Sequence, residues 1–178
     1  MPCGLRRGAR ARLGLQRRNG WTTCEKYRPL RNHRNRTRHL VVELYPKVAP
    51  KTVGNFETLV NKGFYNGLTW HRVVPDFVVQ GGDPDGTGMG GPGYNVPAEI
   101  DKNEHHLRGT LATARKGDEA NPQRESSGSQ FYVCLAPQPS LDNGYTIFGG
   151  VIKGMDVVDQ IQKGDHMKKI TLAKEPPK

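Results

Sequence analysis

A cation, an aromatic ring and an amide lie within nine residues of one another in this sequence, at Arg72, Phe77 and Gln80. Residues 69–74 and 77–80 are rich in β-branched and aromatic side chains, which predicts two short strands joined by a turn. Arginine is always protonated and holds its donors in a planar fork, so it suits electrostatic stabilisation better than nucleophilic attack.

A charged side chain between apolar strand neighbours needs a polar partner or a functional role. Side chains alternate across a strand, so Val78 and Gln80 are expected on one face and Phe77 and Val79 on the other. Gln80 is the candidate partner of Arg72.

Other catalytic chemistries find little support. The serines of Ser126–Ser127 and Ser129 have no motif that places a base beside them, and no cysteine pair has zinc-ligand spacing. His105 and His106 are adjacent, so their side chains are expected to point in different directions, which is poor for shared metal ligation. A lone strand histidine such as His71 is more often a structural hydrogen-bonding group than a ligand. We expect no metal and no cofactor.

Residues 84–97 form a glycine-rich stretch in which Gly86, Gly88 and Gly91 fit the pattern G-x-G-x-x-G. The dinucleotide-binding fingerprint requires a helix that begins in the glycine turn, and the prolines that follow disfavour one. The stretch is interpreted as a long turn that uses the conformational freedom of glycine.

Three ordered blocks of the sequence resemble the signatures of the cyclophilins, the peptidyl-prolyl cis/trans isomerases. They are HRVVPDFVVQGGD at 71–83, SSGSQFYV at 126–133 and LDNGYTIFG at 141–149. The resemblance covers residues 40–172 and is greatest to the small bacterial-type branch. It implies a mainly β fold, a closed eight-stranded antiparallel barrel capped by two α-helices.

The implied reaction is rotation about X-Pro peptide bonds, which needs no cofactor. Amide resonance opposes this rotation with a barrier of roughly 18–20 kcal/mol. In the twisted transition state the resonance is lost, and the prolyl nitrogen becomes pyramidal with a usable lone pair. A donor aimed at that nitrogen stabilises the transition state and offers little to the planar ground state.

By resemblance, Arg72 is the catalytic arginine, and Gln80 helps to hold it and the carbonyl side of the substrate. The substrate-binding positions implied in the same way are Phe77, Val78, Ala114, Tyr132, Leu141 and Tyr145. From the pattern alone, Phe77, Val78 and Leu141 fit an ordinary barrel core equally well.

Four positions depart from common cyclophilin patterns. Ser140 stands where many members carry a tryptophan that contacts cyclosporin, so the drug is expected to bind weakly. Tyr132 and Tyr145 stand where phenylalanine and histidine are common, and Arg115 stands where an asparagine often holds the peptide through its backbone. A backbone contact can survive such a side-chain change.

The formal net charge of +10 is concentrated in residues 1–39, which hold twelve Lys and Arg and one acid, whereas the rest of the chain is nearly neutral. The segment is Arg-rich and poor in acids like an organellar transit peptide, but it has no serine. We expect a basic, disordered extension over residues 1–39, an isomerase domain over 40–174 and a tail over 175–178.

Further elements must position the site. Strands are expected at 40–45, 111–114, 131–136, 146–151 and 170–172, with one helix from Pro50 and a second over 155–162. Residues 28–38 carry five arginines, no acid and no apolar alternation. The strand that the resemblance implies before residue 40 should therefore be short, frayed or absent, and residues 21–24 are a weak substitute for it. We expect residues 1–20 to be disordered and residues 40–45 to form a partly exposed edge strand.

We expect a monomeric peptidyl-prolyl isomerase that acts on proline-containing peptides and unfolded proteins and assists folding. One alternative is a non-catalytic proline-peptide-binding module, which retention of Arg72 disfavours. Another is a nucleic-acid-associated protein working through residues 1–39, which the lack of interleaved aromatic residues disfavours, so no specific nucleic-acid partner is expected.

The cysteines and the hydropathy bear on location. Cys3, Cys24 and Cys134 form no disulfide framework, which favours a reducing compartment. We expect a cytoplasmic protein, with an organellar location as the alternative if residues 1–39 act as a transit peptide. No stretch of about 18 apolar residues predicts a membrane span.

Overall fold

The computed structural model describes residues 21–26 and 38–173. The elements in these ranges are, in chain order, β1 Trp21–Lys26, β2 Arg38–Leu44, α1 Pro50–Asn61, β3 Arg72–Val74, β4 Val78–Gly81, β5 Asn95–Val96, β6 Thr110–Thr113, β7 Ser126–Ser127, β8 Phe131–Cys134, a 3-10 turn Pro139–Leu141, β9 Ile147–Lys153, α2 Met155–Val158 and β10 Met167–Ala173. The mainly β character and the two helices agree with the sequence analysis. No helix in the described ranges is long and apolar enough to cross a membrane.

Eight strands form one antiparallel sheet in the order β10-β1-β2-β9-β6-β8-β4-β3, and β5 pairs with β7 in a separate ribbon. The expected closed barrel is not formed, because no ladder joins the end strands β3 and β10 within the described residues. A single bridge between Thr69 and His166 ties the two ends. The ladder is absent because β3 has only three residues. The segment before it bonds β10 through the backbone of Met167, at 2.7 Å and 2.8 Å, and through Asn66 Oδ1, which accepts the Ile170 N–H at 3.2 Å.

Strand β1 forms within the segment assigned to the basic extension. It pairs along its whole length with β10 on one side and β2 on the other. Residues 40–45 are therefore not an exposed edge, contrary to the sequence-based expectation, and the substitute strand at 21–24 is confirmed and longer. The pairing forms because it satisfies the backbone groups of two strands that would otherwise both be edges. The expected disorder of residues 1–20 lies outside the described residues.

Alternation along β8 divides the apolar interior into two clusters. Phe131 and Val133 belong to the larger one, with α1 and most strands, whereas Tyr132 and Cys134 belong to a smaller one on the other face of the sheet. All four side chains are buried, so β8 is covered on both faces. The smaller cluster also contains Val78, Ala112, Ala114 and Ile147, with Tyr45, Phe77, Leu141 and Tyr145 packed against it. The candidate site lies on this second face.

Helix α1 begins at the predicted residue, Pro50, whose missing N–H costs nothing in a first turn. The free N–H groups of Lys51 and Thr52 donate to the carboxylate of Glu99, at 3.0 Å and 2.8 Å. Helix α2 is shorter than the predicted 155–162. After Val158 the backbone tightens into i→i+3 hydrogen bonds, which bury Ile161 without further α-helix.

Candidate active site

One cleft of about 220 Å³ brings together every residue that the sequence analysis assigned to the site. Its lining residues are Arg72, Phe77, Val78, Gln80, Ala114, Arg115, Tyr132, Leu141 and Tyr145. Eight of the nine are the predicted catalytic and substrate-binding residues, and the Arg115 side chain is the addition. The cleft thus combines an apolar floor with two guanidinium groups and an amide at its rim.

Strand register explains how residues distant in sequence come together. Arg72 of β3 pairs with Gln80 of β4, and Gln80 pairs with Tyr132 of β8. Tyr132 in turn pairs with Ala112 of β6. Directly paired residues share a face of a sheet, so these side chains form one row across four strands. The row places the Arg72 guanidinium, the Gln80 amide and the Tyr132 ring beside one another.

Phe77 reaches the cleft from a turn and not from a strand. Strand β4 begins at Val78, one residue later than predicted, and the preceding turn contains Asp76 at φ 56°. Phe77 therefore lies outside the strand alternation and packs with Val78, whereas Val79 faces the main core. The prediction that Phe77 and Val79 share a face is wrong for this reason. The guanidinium carbon of Arg72 lies 5.5 Å from the Phe77 ring centroid, within cation–π range.

A chain of amides holds Arg72. Arg72 Nη1 donates to Gln80 Oε1 over a long 3.4 Å, and Gln80 Nε2 donates to Gln130 Oε1 at 2.9 Å. Gln130 Nε2 donates to the carbonyls of Gly88 and Gly90, at 3.0 Å and 2.8 Å. The predicted Arg72–Gln80 partnership is confirmed, whereas Gln130 was not among the predicted site residues. The signal available was its place in the block SSGSQFYV, where it follows a glycine-serine turn and opens a buried strand.

The glycine-rich stretch supports this amide chain and is a turn, as predicted. The buried carboxylate of Asp83 accepts hydrogen bonds from the N–H groups of Asp85 and Gly90, at 2.8 Å and 3.3 Å. Burial alone would raise the pKa of Asp83, but hydrogen bonds from Asp85, Gly88 and Gly90 lower it. A Cβ at Gly90 would lie 2.2 Å from Asp83 Oδ1, so only glycine fits there. The loop carbonyls that anchor Gln130 are thereby fixed.

Arg115 forms the opposite rim through its side chain, where the sequence analysis considered only its backbone. Its guanidinium carbon lies 4.6 Å from the Tyr145 ring centroid, and its Nε donates to the carbonyl of Gly144 at 2.7 Å. Asp118 accepts from both Arg115 and Arg124, and these hydrogen bonds lower the pKa of its carboxyl. Arg115 therefore fixes the Tyr145 ring at the cleft wall.

Two of the histidines behave differently from expectation. His105 and His106 were expected to point in different directions, yet the Nδ1 atoms of both contact the carboxylate of Asp142, at 3.0 Å and 2.8 Å. Neither ring nitrogen of buried His71 has a hydrogen-bond partner among the described residues, so its expected role as a structural hydrogen-bonding group stays a prediction. Burial lowers the pKa of His71. In the same ranges, no group of three or more potential ligands could hold a metal ion.

Cys134 is buried in the smaller cluster. Burial raises the pKa of its thiol to about 12, which leaves it protonated and unreactive at neutral pH.

The fold and the cleft together define a class of protein, a cyclophilin-like β protein with a cleft of about 220 Å³ that combines apolar side chains with Arg72 and Gln80. A sequence model described as "Cyclophilin type peptidyl-prolyl cis-trans isomerase/CLD" matches residues 32–177. The chain is 48% identical over 131 residues to peptidyl-prolyl cis-trans isomerase B of Bacillus subtilis, covering 73% of this chain and 87% of that protein. It is 41% identical to a peptidyl-prolyl cis-trans isomerase of Helicobacter pylori, over 76% of this chain and 81% of that protein.

A crystal structure of a cyclophilin-type peptidyl-prolyl cis-trans isomerase from Cryptosporidium parvum is similar with a TM-score of 0.75 and 27% identity, covering 89% of this chain and all of that one. The chain belongs to the cyclophilin-type peptidyl-prolyl cis-trans isomerase family. The isomerase activity expected from the sequence resemblance is therefore confirmed.

Proposed function

We propose that the cleft binds the X-Pro segment of peptides and unfolded proteins, and that Arg72 stabilises the twisted transition state. The observation that carries the proposal is the placement of the Arg72 guanidinium at the rim of an apolar cup, held by Gln80. A Cryptosporidium parvum relative was solved in the presence of the dipeptide Ala-Pro, with 26% identity and a TM-score of 0.72. That finding supports a proline peptide as the ligand class.

The apolar part of the cleft fits the pyrrolidine ring. Phe77, Val78, Leu141 and the Tyr132 ring offer aliphatic and aromatic surface, and burying apolar surface favours binding by about 25 cal/mol per Å². This contribution is the same for the planar and twisted states of the substrate, so it supports binding and not the rate of the bound step. Ala114 leaves room for the backbone that precedes the proline.

The polar rim acts on the rotating bond. Arg72 makes one long hydrogen bond and no ion pair with a described residue, so its remaining donors are free for a substrate. A donor aimed at the pyramidal prolyl nitrogen interacts with a lone pair that the planar amide lacks. The Gln80–Gln130 chain orients Arg72 before the substrate arrives, which reduces the reorganisation needed in the transition state.

Titration with an Ala-Pro tetrapeptide followed by backbone NMR tests the ligand class and its location. We expect shift changes concentrated at Ala114, Leu141 and Tyr145, and exchange cross-peaks between the cis and trans forms of the peptide. Residues of α1, on the other side of the sheet, serve as the internal control. Catalysed exchange with shift changes confined to α1 would place the site elsewhere.

Cyclosporin is proposed to bind weakly, and Ser140→Trp is expected to tighten binding by about 10- to 100-fold. Ser140 is exposed in the 3-10 turn Pro139–Leu141, next to a residue that lines the cleft. An indole there would bury apolar and aromatic surface worth about 1.5–3 kcal/mol. Inhibition of isomerase activity gives the affinity, with Ser140→Ala as the matched control that adds no surface. Equal, tight inhibition of wild type and variant would contradict the placement of Ser140 at the cleft.

We also propose a monomer in a reducing compartment, the cytoplasm, with an organelle as the alternative. The described ranges expose only four large apolar side chains, and no two of them are adjacent in sequence, which supports the monomer; they are Met89, Tyr94, Leu107 and Ile152. The free thiol of Cys134 is compatible with a reducing environment.

A further inference from the structure

The Tyr132 ring lines the proline cleft, but its hydroxyl bonds to a buried imidazole. The oxygen lies 3.0 Å from Nε2 of His106, whose side chain is 0% exposed. The other ring nitrogen, Nδ1, lies 2.8 Å from Oδ1 of Asp142. The same carboxylate oxygen accepts the backbone N–H of His106 at 2.8 Å. Three side chains from three segments thus form one continuous chain that ends in the cleft.

The chain has a single hydrogen-bonding direction. Burial alone would raise the pKa of Asp142, but hydrogen bonds from the His106 N–H and from both imidazoles lower it to about 2. A carboxylate only accepts hydrogen bonds, so Nδ1 of His106 must carry the hydrogen and Nε2 must offer its lone pair. The Tyr132 O–H therefore donates to Nε2, and its hydrogen points away from the substrate.

Ring contacts reinforce the arrangement. The His106 and Tyr132 rings are nearly parallel, at 15° with centroids 6.1 Å apart. The Tyr145 ring stands edge-on to both, at 5.9 Å from Tyr132 and 6.2 Å from His106. Because Arg115 covers the outer face of Tyr145, the Tyr132 ring has little room to tilt.

We propose that Asp142 and His106 are positioning residues for prolyl isomerisation, which hold the Tyr132 ring as the cleft wall and keep its hydroxyl proton out of the proline pocket. The inference rests on the proposed role of the cleft and adds two residues that do not touch the substrate. It also predicts that the state of His106 controls the shape and polarity of the pocket.

Protonation of His106 reverses the hydrogen bond to Tyr132. Both ring nitrogens then become donors, so Nε2–H donates to the Tyr132 oxygen, and the hydroxyl hydrogen of Tyr132 leaves His106 and turns toward the cleft. Burial lowers the pKa of His106 below its ordinary 6.5, while Asp142 opposes that effect. The titratable and charged groups that face the His106–Tyr132 pair are Asp142, His105, Tyr145, Cys134 and Arg115. Activity is therefore expected to be lost as the pH falls below 6.5, and the neutral form is the active one.

The test compares kcat/KM between pH 8 and pH 4.5 for wild type, His106→Gln, His105→Gln and Tyr132→Phe, by NMR exchange of an Ala-Pro peptide. We expect His106→Gln to lower kcat/KM about 10-fold at pH 7.5, the effect of one lost hydrogen bond. His105→Gln, which removes the exposed neighbour on the same carboxylate, is expected to leave kcat/KM unchanged. Tyr132→Phe is expected to lose the wild-type fall at acidic pH, whatever its activity at pH 8.

Two readouts separate positioning from a merely structural role. In the Tyr132→Phe background, His106→Gln should have no further effect on kcat/KM, because the hydroxyl that it holds is gone. Imidazole ¹⁵N shifts of the wild type should show the Nδ1–H tautomer of His106 at pH 7.5. Three results would each overturn the inference. They are an Nε2–H tautomer of His106, a fall of kcat/KM at acidic pH that Tyr132→Phe retains, and a double variant whose loss of kcat/KM equals the sum of the two single losses in free energy. If His106→Gln fails to fold, the tautomer and the Tyr132→Phe profile still decide.

Failure of the inference differs from failure of the proposed site. The proposed site fails if Arg72→Ala retains activity, irrespective of the histidine variants. The positioning role alone fails if Arg72→Ala is inactive while Tyr132→Phe keeps the fall of kcat/KM at acidic pH.

Discussion

Arg72→Ala is expected to lower kcat/KM at least about 100-fold while changing the free energy of unfolding little. The lost donor acts on the pyramidal prolyl nitrogen, and removing one preorganised transition-state donor commonly costs about 10²–10³ in rate. Stability should hold because Arg72 is exposed and makes a single 3.4 Å hydrogen bond with Gln80. A protease-coupled assay on a proline tetrapeptide measures the rate, and urea denaturation measures the stability.

Arg108→Ala is the matched control. This arginine is also partly exposed, but it does not line the cleft. Its Nη2 pairs with Asp159 at 2.7 Å, and its Nη1 donates to the carbonyl of Leu135. We expect full activity from it and a stability loss of about 1–2 kcal/mol, from one exposed ion pair and one hydrogen bond. Arg72→Lys keeps the charge and loses the planar fork, so it should recover only a small part of the activity. More than half of wild-type activity in Arg72→Ala would refute the assigned mechanism.

The Arg72–Gln80 part of the site was predictable because the two residues lie close together in sequence. Arg72 and Gln80 lie on two strands joined by a short turn, so their pairing follows from alternation and turn length. The same rule failed at Phe77, because the turn ended one residue later than predicted and Asp76 took a left-handed conformation. A one-residue shift in a strand start moves a side chain to the other face.

The residues that support the site, Gln130 and the His106–Asp142 pair, were not predictable from the pattern of neighbouring residues. Gln130 lies 50 residues from Gln80, and His106 lies 36 residues from Asp142, so only the sheet order brings these pairs together. Strand β1 shows the same limit. Its own sequence specifies a strand weakly, and its place in the sheet depends on the free edges that β2 and β10 offer.

Phe131→Ala is expected to reduce the free energy of unfolding by about 3–5 kcal/mol, the range for truncating a buried phenylalanine. The Phe131 ring is buried and meets Phe56, Tyr65 and Trp70 edge-to-face, each with centroids 5.6 Å apart. The truncation would also join an existing void of about 20 Å³ that Phe131 borders together with Phe56 and Trp70. Urea denaturation followed by circular dichroism measures the loss.

Phe64→Ala is the matched control for that prediction, since it makes the same truncation at the margin of the same cluster. Phe64 is only partly buried and has one edge contact with Tyr65, at 5.4 Å, so a loss below about 2 kcal/mol is expected. Because Phe131 faces the main core and its neighbour Tyr132 faces the cleft, the folded fraction of Phe131→Ala should retain most of its kcat/KM. Equal destabilisation by both variants, or a large loss of kcat/KM in folded Phe131→Ala, would show that the two faces of β8 do not separate stability from catalysis.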